Sequence, residues 1–82
     1  METRVAIVAI IIENREIASE VNSILHSYAE HIIGRMGLPH KEKNMNIITV
    51  VVDAPHDVIS ALSGKIGRID GVSTKTVYSK DA

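Results

Sequence analysis

Two uninterrupted apolar runs dominate the hydrophobic pattern of the chain. Residues 46–53 read Asn-Ile-Ile-Thr-Val-Val-Val-Asp, and residues 5–12 contain no polar side chain. Short runs of β-branched residues are typical of strands rather than helices. Because successive side chains of a strand point to opposite faces of a sheet, both faces of these strands are apolar. The pattern therefore predicts two adjacent central strands.

Two further segments have the apolar spacing of amphipathic helices. The first helix is predicted over residues 15–29, with Asn14 as its N-cap. The second is predicted to open at residues 53–55, with Pro55 near its first position, and to stop at Asp70-Gly71. Gly64 and Gly67 inside it each cost roughly 1 kcal/mol relative to alanine. We therefore expect the backbone at both glycines to approach another element closely, most simply the sheet.

The remaining segments predict two outer strands and a connection. Residues 30–37 are apolar but broken by glycines and an arginine, which indicates an edge strand with a bulge. The polar, proline-containing residues 38–44 are predicted to be a hairpin connection. Residues 72–79 alternate in character, which indicates a half-buried last strand.

The predicted order is therefore strand, helix, strand, strand, helix, strand. Right-handed crossovers pack this order most simply as an α+β, ferredoxin-like βαββαβ two-layer sandwich. In that fold a four-stranded antiparallel sheet carries both helices on one face, and the first strand lies beside the third. Residues 1–82 are expected to form a single domain, because a chain of this length is too short for two cores.

Such a sandwich leaves one face of the sheet bare. That face would carry either Val5, Ile7 and Ile11 or Val8, Ile10 and Ile12. Burying one such side chain contributes ~1.5–3 kcal/mol. We therefore expect a second protomer to cover the face, in a closed dimer or tetramer. The alternative is that the helix ends or the hairpin cover it.

Composition narrows the classes of function. The chain has no Cys, so it has neither disulfides nor thiolate metal sites, and a cytoplasmic location is expected. The net charge is −1, and the basic residues are scattered along the chain. The chain has two Tyr and neither Phe nor Trp, so little aromatic surface is available for stacking on bases. Direct nucleic-acid binding is therefore disfavoured. No run approaches the ~20 apolar residues of a membrane span.

The most suggestive short motif is Gly34-Arg35-Met36-Gly37. Its glycines allow close approach of a ligand, and Arg35 offers a fixed fork of donors for a carboxylate or phosphate of a ligand or a neighbouring subunit. The alternative is that the glycines form a bulge in an edge strand, and that the charge of Arg35 solvates this edge. The turn Glu13-Asn14 after the first strand is a second candidate ligand site, since exposed amides there could receive an anion, although capping by Asn14 uses some of the same donors.

Other candidate chemistry is weak. No pair of the four His residues has the i, i+4 spacing of a helical metal site, and no catalytic triad, phosphate loop or close carboxylate pair is visible. Asp53 with His56 and Asp57 could hold a cation, but an Asp before a helix is more typically a cap. We therefore expect no catalytic residue, no metal site and no cofactor, and a protein that is not an enzyme.

Three separated motifs resemble a known family. They are residues 4–16, residues 33–39, and Asp53-Ala54-Pro55 followed by residues 60–67 and Gly71-Val72. Over almost the whole chain they are similar to the family provisionally named iron-only hydrogenase system regulators, which is in turn similar to ACT-like domains and to the C-terminal domain of nickel-responsive regulators. The resemblance implies a ferredoxin-like (ACT-like) fold, a homo-oligomer and a regulatory role.

Three functional hypotheses follow. The first is an oligomeric regulatory module that senses a small-molecule effector at a subunit interface, near Glu13-Asn14 or residues 34–37. The second is a protein-interaction or scaffold subunit with no ligand, whose partner belongs to hydrogenase regulation or maturation. The third is a transcriptional regulator that binds DNA directly.

Overall fold

Residues 2–80, which the computed structural model describes, form the predicted four-stranded antiparallel sheet with two α-helices. The strands are β1 (Arg4–Ile12), β2 (Ile32–His40), β3 (Met45–Ala54) and β4 (Val72–Tyr78), and the helices are α1 (Ala18–Ser27) and α2 (His56–Gly67). The sheet order is β2-β3-β1-β4, with every neighbouring pair antiparallel. The α+β, ferredoxin-like fold is therefore confirmed, and β1 lies beside β3.

Strand β1 divides the two faces of the sheet. Val8, Ile10 and Ile12 are fully buried, whereas Ile7 and Ile11 remain 43% exposed. Residues of both helices join the buried face in one apolar core, in which no polar or charged side chain of residues 2–80 is buried. The core contains Ala6, Val8, Ile10, Ile12, Val21, Leu25, Ile48, Val50, Val52, Ala54, Ile59, Leu62, Ile66 and Val72. The helices therefore cover one face of the sheet only.

Both helices are shorter than predicted. The segment Arg15–Ile17 is a 3-10 turn, which Asn14 caps by accepting from the Glu16 amide at 3.0 Å, and the α-helix begins only at Ala18. Pro55 is the N-cap of α2 rather than part of its first turn, because its ψ of 149° is extended. Helix α2 ends at Gly67, earlier than predicted, and Gly71 then reverses the chain with the predicted positive φ, of 83°.

The edge strand is longer than predicted, and the assignment of residues 38–40 to the hairpin connection was wrong. Strand β2 continues through Pro39 to His40, since an edge strand tolerates a residue without a donor. The connection is the 3-10 turn Lys41–Lys43, closed by Asn44 in the left-handed region at φ 55°. The predicted bulge is confirmed by a register shift between Ile32 and Gly34.

The two glycines of α2 differ. A Cβ on Gly67 would lie 3.1 Å from the Oγ1 of Thr74 on β4, so the predicted close approach to the sheet is confirmed there. A Cβ on Gly64 would meet no atom of the described residues within 4 Å. The same prediction was therefore wrong for Gly64, because no neighbouring element packs closely against its backbone.

Candidate functional site

A notch beside the edge strand contains part of the predicted Gly34–Gly37 site. We call it the Arg35 notch. It has a volume of about 220 Å³ and is lined by Asn22, Arg35, Gly37, Leu38, Pro39, Asn46 and Ile48. Asn22 belongs to α1, and the other residues belong to β2 and β3. The notch therefore lies where the first helix faces the β2–β3 hairpin.

The antiparallel register of β2 and β3 explains which residues reach the notch. Arg35 pairs with Val50 and Gly37 with Ile48, and both partners are buried on the helix face. Because strand residues alternate, Gly34 and Met36 stand on the opposite face of the sheet. The predicted motif is therefore divided between the two faces: Arg35 and Gly37 line the notch, whereas Gly34 and Met36 do not.

One polar contact and one unsatisfied polar atom characterise the notch. A guanidinium nitrogen of Arg35 (Nη2) donates to the Oδ1 of Asn22, which holds this exposed side chain against α1. The Oδ1 of Asn46 is buried and accepts no hydrogen bond within the described part of the chain. Such an atom costs ~1–3 kcal/mol of desolvation. The notch thus presents one cation, and an unsatisfied acceptor lies buried in one of its lining residues.

The turn Glu13-Asn14 has a structural role. The Glu13 amide donates to the Gly71 carbonyl oxygen at 2.8 Å, the Glu16 amide to the Asn14 side chain, and the Ile17 amide to the Asn14 carbonyl oxygen at 2.9 Å. An anion at this turn would have to compete with the chain for these three amides. Neither Glu13 nor Asn14 lines the Arg35 notch, so the structure does not bring the two predicted candidate segments together.

The sheet face opposite the helices, which we call the outer face, is apolar in its centre. Ile7 pairs with Val51 of β3 and Val77 of β4, and Ile11 pairs with Ile47. The strongest exposures of large apolar side chains are on the edge strands, with Met36 at 69% and Val77 at 65%. Asp53, which pairs with Val5, and Lys75, which pairs with Ala9, lie on the same face and carry one negative and one positive charge.

Three planar side chains stack at the start of β1, an arrangement that sequence reasoning missed. The rings of His56 and Tyr78 have centroids 5.1 Å apart, and the Arg4 guanidinium lies 4.7 Å from the Tyr78 centroid. Arg4 also donates to the Ser79 carbonyl oxygen at 2.7 Å. Nothing in the local sequence pattern relates these positions, because the sheet register alone joins β1 to β4. The cluster joins the first residue of α2 to the sheet.

A larger groove of about 660 Å³ runs between the helices. Its walls carry both acidic and basic residues, among them Glu20, Lys65, Arg68 and Asp70. The groove shares no residue with the predicted sites. Among the described residues, no three His, Asp or Glu side chains lie together in a way that would hold a metal ion, and no helix is long and apolar enough to cross a membrane.

The sheet order and the packing of both helices on one face define a small α+β domain of the ferredoxin-like, ACT-like type. Residues 4–76 match the TM1266-like family, described provisionally as an iron-only hydrogenase system regulator, and the chain belongs to that family. Among solved structures it is similar to the uncharacterized protein TM1266 from Thermotoga maritima, with 48% identity and a TM-score of 0.91 over 96% of this chain and 100% of that chain. No curated protein matches the sequence.

Proposed function

We propose that the chain is a non-enzymatic, self-associating regulatory module of an iron-only hydrogenase system, which acts in the cytoplasm and senses a small ligand in the Arg35 notch. The observation that carries the proposal is the pair of unlike sheet faces. One face is closed by the helices, and the other leaves Val5, Ile7 and Ile11 more than 40% exposed. The family's description as a regulator supports the regulatory role.

A second copy of the chain is the proposed occupant of the outer face, in a closed dimer or tetramer. The face presents aliphatic residues of all four strands, including Ile7, Val51 and Val77. Among the described residues of this face, the charges of Asp53 and Lys75 balance each other, so these residues would not make two copies repel each other. In an isologous dimer, the outer face of each copy covers the outer face of the other. Such two-fold dimers are the commonest soluble oligomers. The same residues would then complete the apolar layer that 82 residues cannot close alone.

Strand β2 supplies a physical connection between ligand and assembly. Arg35 and Gly37 line the notch, whereas Met36 belongs to the outer side of the same strand. Leu38 pairs with Ile47 on the outer side and also borders the notch. Because β2 is an edge strand, it pairs with a neighbouring strand on one side only, and its bulge interrupts that pairing between Ile32 and Gly34. A ligand that moves Arg35 would therefore displace residues of the proposed subunit interface. A coupling of this kind requires the ligand to bind the two arrangements of β2 unequally.

The alternative function is a scaffold subunit without a ligand. The exposure of Ile33, Met36 and Leu38, each at 60% or more, favours it, because an apolar edge strand can pair with a strand of another protein. A partner protein from hydrogenase regulation or maturation would then occupy β2. Binding of that partner by Met36→Lys at unchanged strength would exclude β2 as its binding site, and the failure of the wild-type chain to bind any protein of the hydrogenase system would exclude the alternative itself.

Sedimentation velocity over a range of protein concentrations tests the assembly. We expect the wild-type chain to sediment as a dimer or tetramer and Ile7→Lys to sediment as a folded monomer, because a charge in a paired apolar face is not solvated. Ser60→Lys, an exposed position on α2, is the matched control and should leave assembly unchanged. Ile7→Thr is the milder variant if Ile7→Lys does not fold. A wild-type chain that sediments as a folded monomer at every concentration contradicts the proposal.

A further inference from the structure

We infer that two copies of the chain pair through their outer faces about a two-fold axis that passes at Ile7, so that Asp53 of each copy lies against Lys75 of the other. The inference deepens the proposed assembly and rests on it. It adds the orientation of the two copies, which an apolar face alone leaves open because hydrophobic contacts are not directional.

The register of the sheet places the acid and the base symmetrically about Ile7. Asp53 lies on β3 and pairs with Val5, two residues before Ile7 on β1. Lys75 lies on β4, the neighbour of β1 on its other side, and pairs with Ala9, two residues after Ile7. Each charge is therefore one strand and one outward-facing position away from Ile7, and the two lie in opposite directions.

The two charges of one copy are too far apart to pair with each other. Adjacent strands lie about 4.8 Å apart and residues rise about 3.4 Å along a strand, so roughly 17 Å separates the Cα atoms of Asp53 and Lys75. Both residues are exposed, and neither side chain makes a hydrogen bond or a salt bridge within residues 2–80. Each charge is therefore free to pair with a second copy.

A two-fold axis gives each charge its opposite. In an isologous pair every contact occurs twice, so an axis that brings Asp53 to the partner's Lys75 also brings Lys75 to the partner's Asp53. Such an axis lies between the two sheets, perpendicular to the line from Asp53 to Lys75, and passes through the midpoint of that line. The midpoint is the position of Ile7. The acid and the base thus select one orientation, in which two ion pairs flank an apolar centre.

The sizes of the apolar side chains fit the same axis. Ile7 lies against the partner's Ile7, and Val51 lies close to the partner's Ala9, so that a larger side chain covers a small one. Val5 lies close to the partner's Val77, and both are exposed in a single chain. The strands of the two sheets cross at about 70°, closer to the orthogonal than to the aligned class of sheet packing.

Ile11 provides a matched position away from the axis. It lies on the same strand and face as Ile7, with the same exposure of 43%. In the inferred orientation the two copies of Ile11 are roughly 20 Å apart, whereas an axis parallel to β1 would bring them together. The contacts of Ile7 and Ile11 therefore distinguish this orientation from others that bury the same face.

Charge reversal tests the ion pairs on the full chain. Asp53→Lys places two bases at each contact and Lys75→Glu places two acids there, so each variant alone should have a dissociation constant about tenfold higher than the wild type. An equimolar mixture of the two variants restores both attractions. We expect it to form heterodimers with the wild-type affinity, measured by sedimentation and identified by native mass spectrometry with one variant labelled with 15N.

Two further variants control for net charge. Glu42→Lys and Lys43→Glu lie in the exposed turn between β2 and β3 and change the net charge by the same amounts. Alone they should assemble like the wild type, and mixed they should show no preference for heterodimers. If a reversed variant does not fold, Asp53→Asn and Lys75→Gln are the milder test, and each should weaken association to a smaller extent.

Intermolecular NOEs test the axis without any substitution. In a mixture of 13C-labelled and unlabelled wild-type chain, isotope-filtered spectra should link methyl groups of Ile7 to those of the partner's Ile7, and Ala9 to the partner's Val51. No such NOE should link Ile11 to the partner's Ile11. An NOE between the two copies of Ile11 would overturn the inferred orientation.

The outcomes keep this inference apart from the proposed assembly. A wild-type chain that stays a monomer at every concentration contradicts both. A chain that self-associates, but whose reversed variants assemble as tightly as the wild type or gain nothing when mixed, contradicts only the inference. Preferential heterodimers of Asp53→Lys with Lys75→Glu, absent from the control mixture, support it.

Discussion

The guanidinium of Arg35 on β2 donates to the amide oxygen of Asn22 on α1, across 13 positions of the sequence. This contact joins the edge strand β2 to α1, one of the helices that cover the sheet. All residues of β2 from Ile33 to Pro39 are exposed to solvent. Both side chains are exposed, so solvent competes for each of them. The contact therefore orients Arg35 toward the notch more than it stabilises the fold.

Replacement of either partner should consequently have a small effect on stability. We expect Arg35→Ala and Asn22→Ala each to lower the free energy of unfolding by about 0.5 kcal/mol, and their double-mutant cycle to give a coupling of similar size. Urea denaturation measures all four proteins. A ligand response that disappears in Arg35→Ala with assembly unchanged assigns Arg35 to the site. A loss of assembly in the same variant would assign it to the subunit interface.

A matched pair of substitutions on β1 distinguishes the two faces of the sheet. Ile10 is fully buried against the helices, so Ile10→Ala should lower the free energy of unfolding by about 2–5 kcal/mol at any protein concentration. Ile7 is 43% exposed in a single chain, so Ile7→Ala should cost much less at high dilution. If copies pair through the outer face, the cost of Ile7→Ala should increase with protein concentration. A cost that stays constant would argue against this pairing.

The glycines of α2 provide a second matched pair. Gly64→Ala should raise the free energy of unfolding by about 0.5–1 kcal/mol, because alanine is the better helix former and its Cβ meets no described atom within 4 Å. Gly67→Ala should gain less or lose stability, since its Cβ would lie 3.1 Å from Thr74 Oγ1. Thermal unfolding of the two variants side by side measures the difference. In the Thr74→Ala background, Gly67→Ala should raise the free energy of unfolding relative to Thr74→Ala alone. Such a gain would identify the contact with Thr74 Oγ1 as the cause.

The cap before α1 contributes a defined amount of stability. Asn14 accepts from the Glu16 amide, and Asn14→Ala leaves that donor without its partner. We expect a loss of about 1 kcal/mol in the free energy of unfolding, measured in urea. Asn14→Ser and Asn14→Asp, which keep a side-chain oxygen, should retain most of the stability. A similar loss in all three variants would show that Asn14 acts in another way.

The candidate site was only partly accessible to prediction. Arg35 and Gly37 stood out because an arginine between two glycines is unusual in a strand. Asn22 and Asn46 gave no signal, since one is an exposed helix residue and the other precedes an apolar run. Helix packing brings Asn22 to the hairpin, and strand register brings Asn46 there. The Glu13-Asn14 turn stays a prediction from the sequence, and the amides of Glu13, Glu16 and Ile17 there bond within the chain.

The order of the elements and the apolar character of both faces of β1 and β3 followed from the residue pattern alone. Strand periodicity, β-branching and capping act between residues close in the chain, so they are visible in the sequence. Long-range packing, in contrast, turns Val8, Ile10 and Ile12 toward the helices and Ile7 and Ile11 outward, and it extends β2 through Pro39. A one-residue shift in register exchanges the two faces of a strand, and register is set by contacts with distant elements.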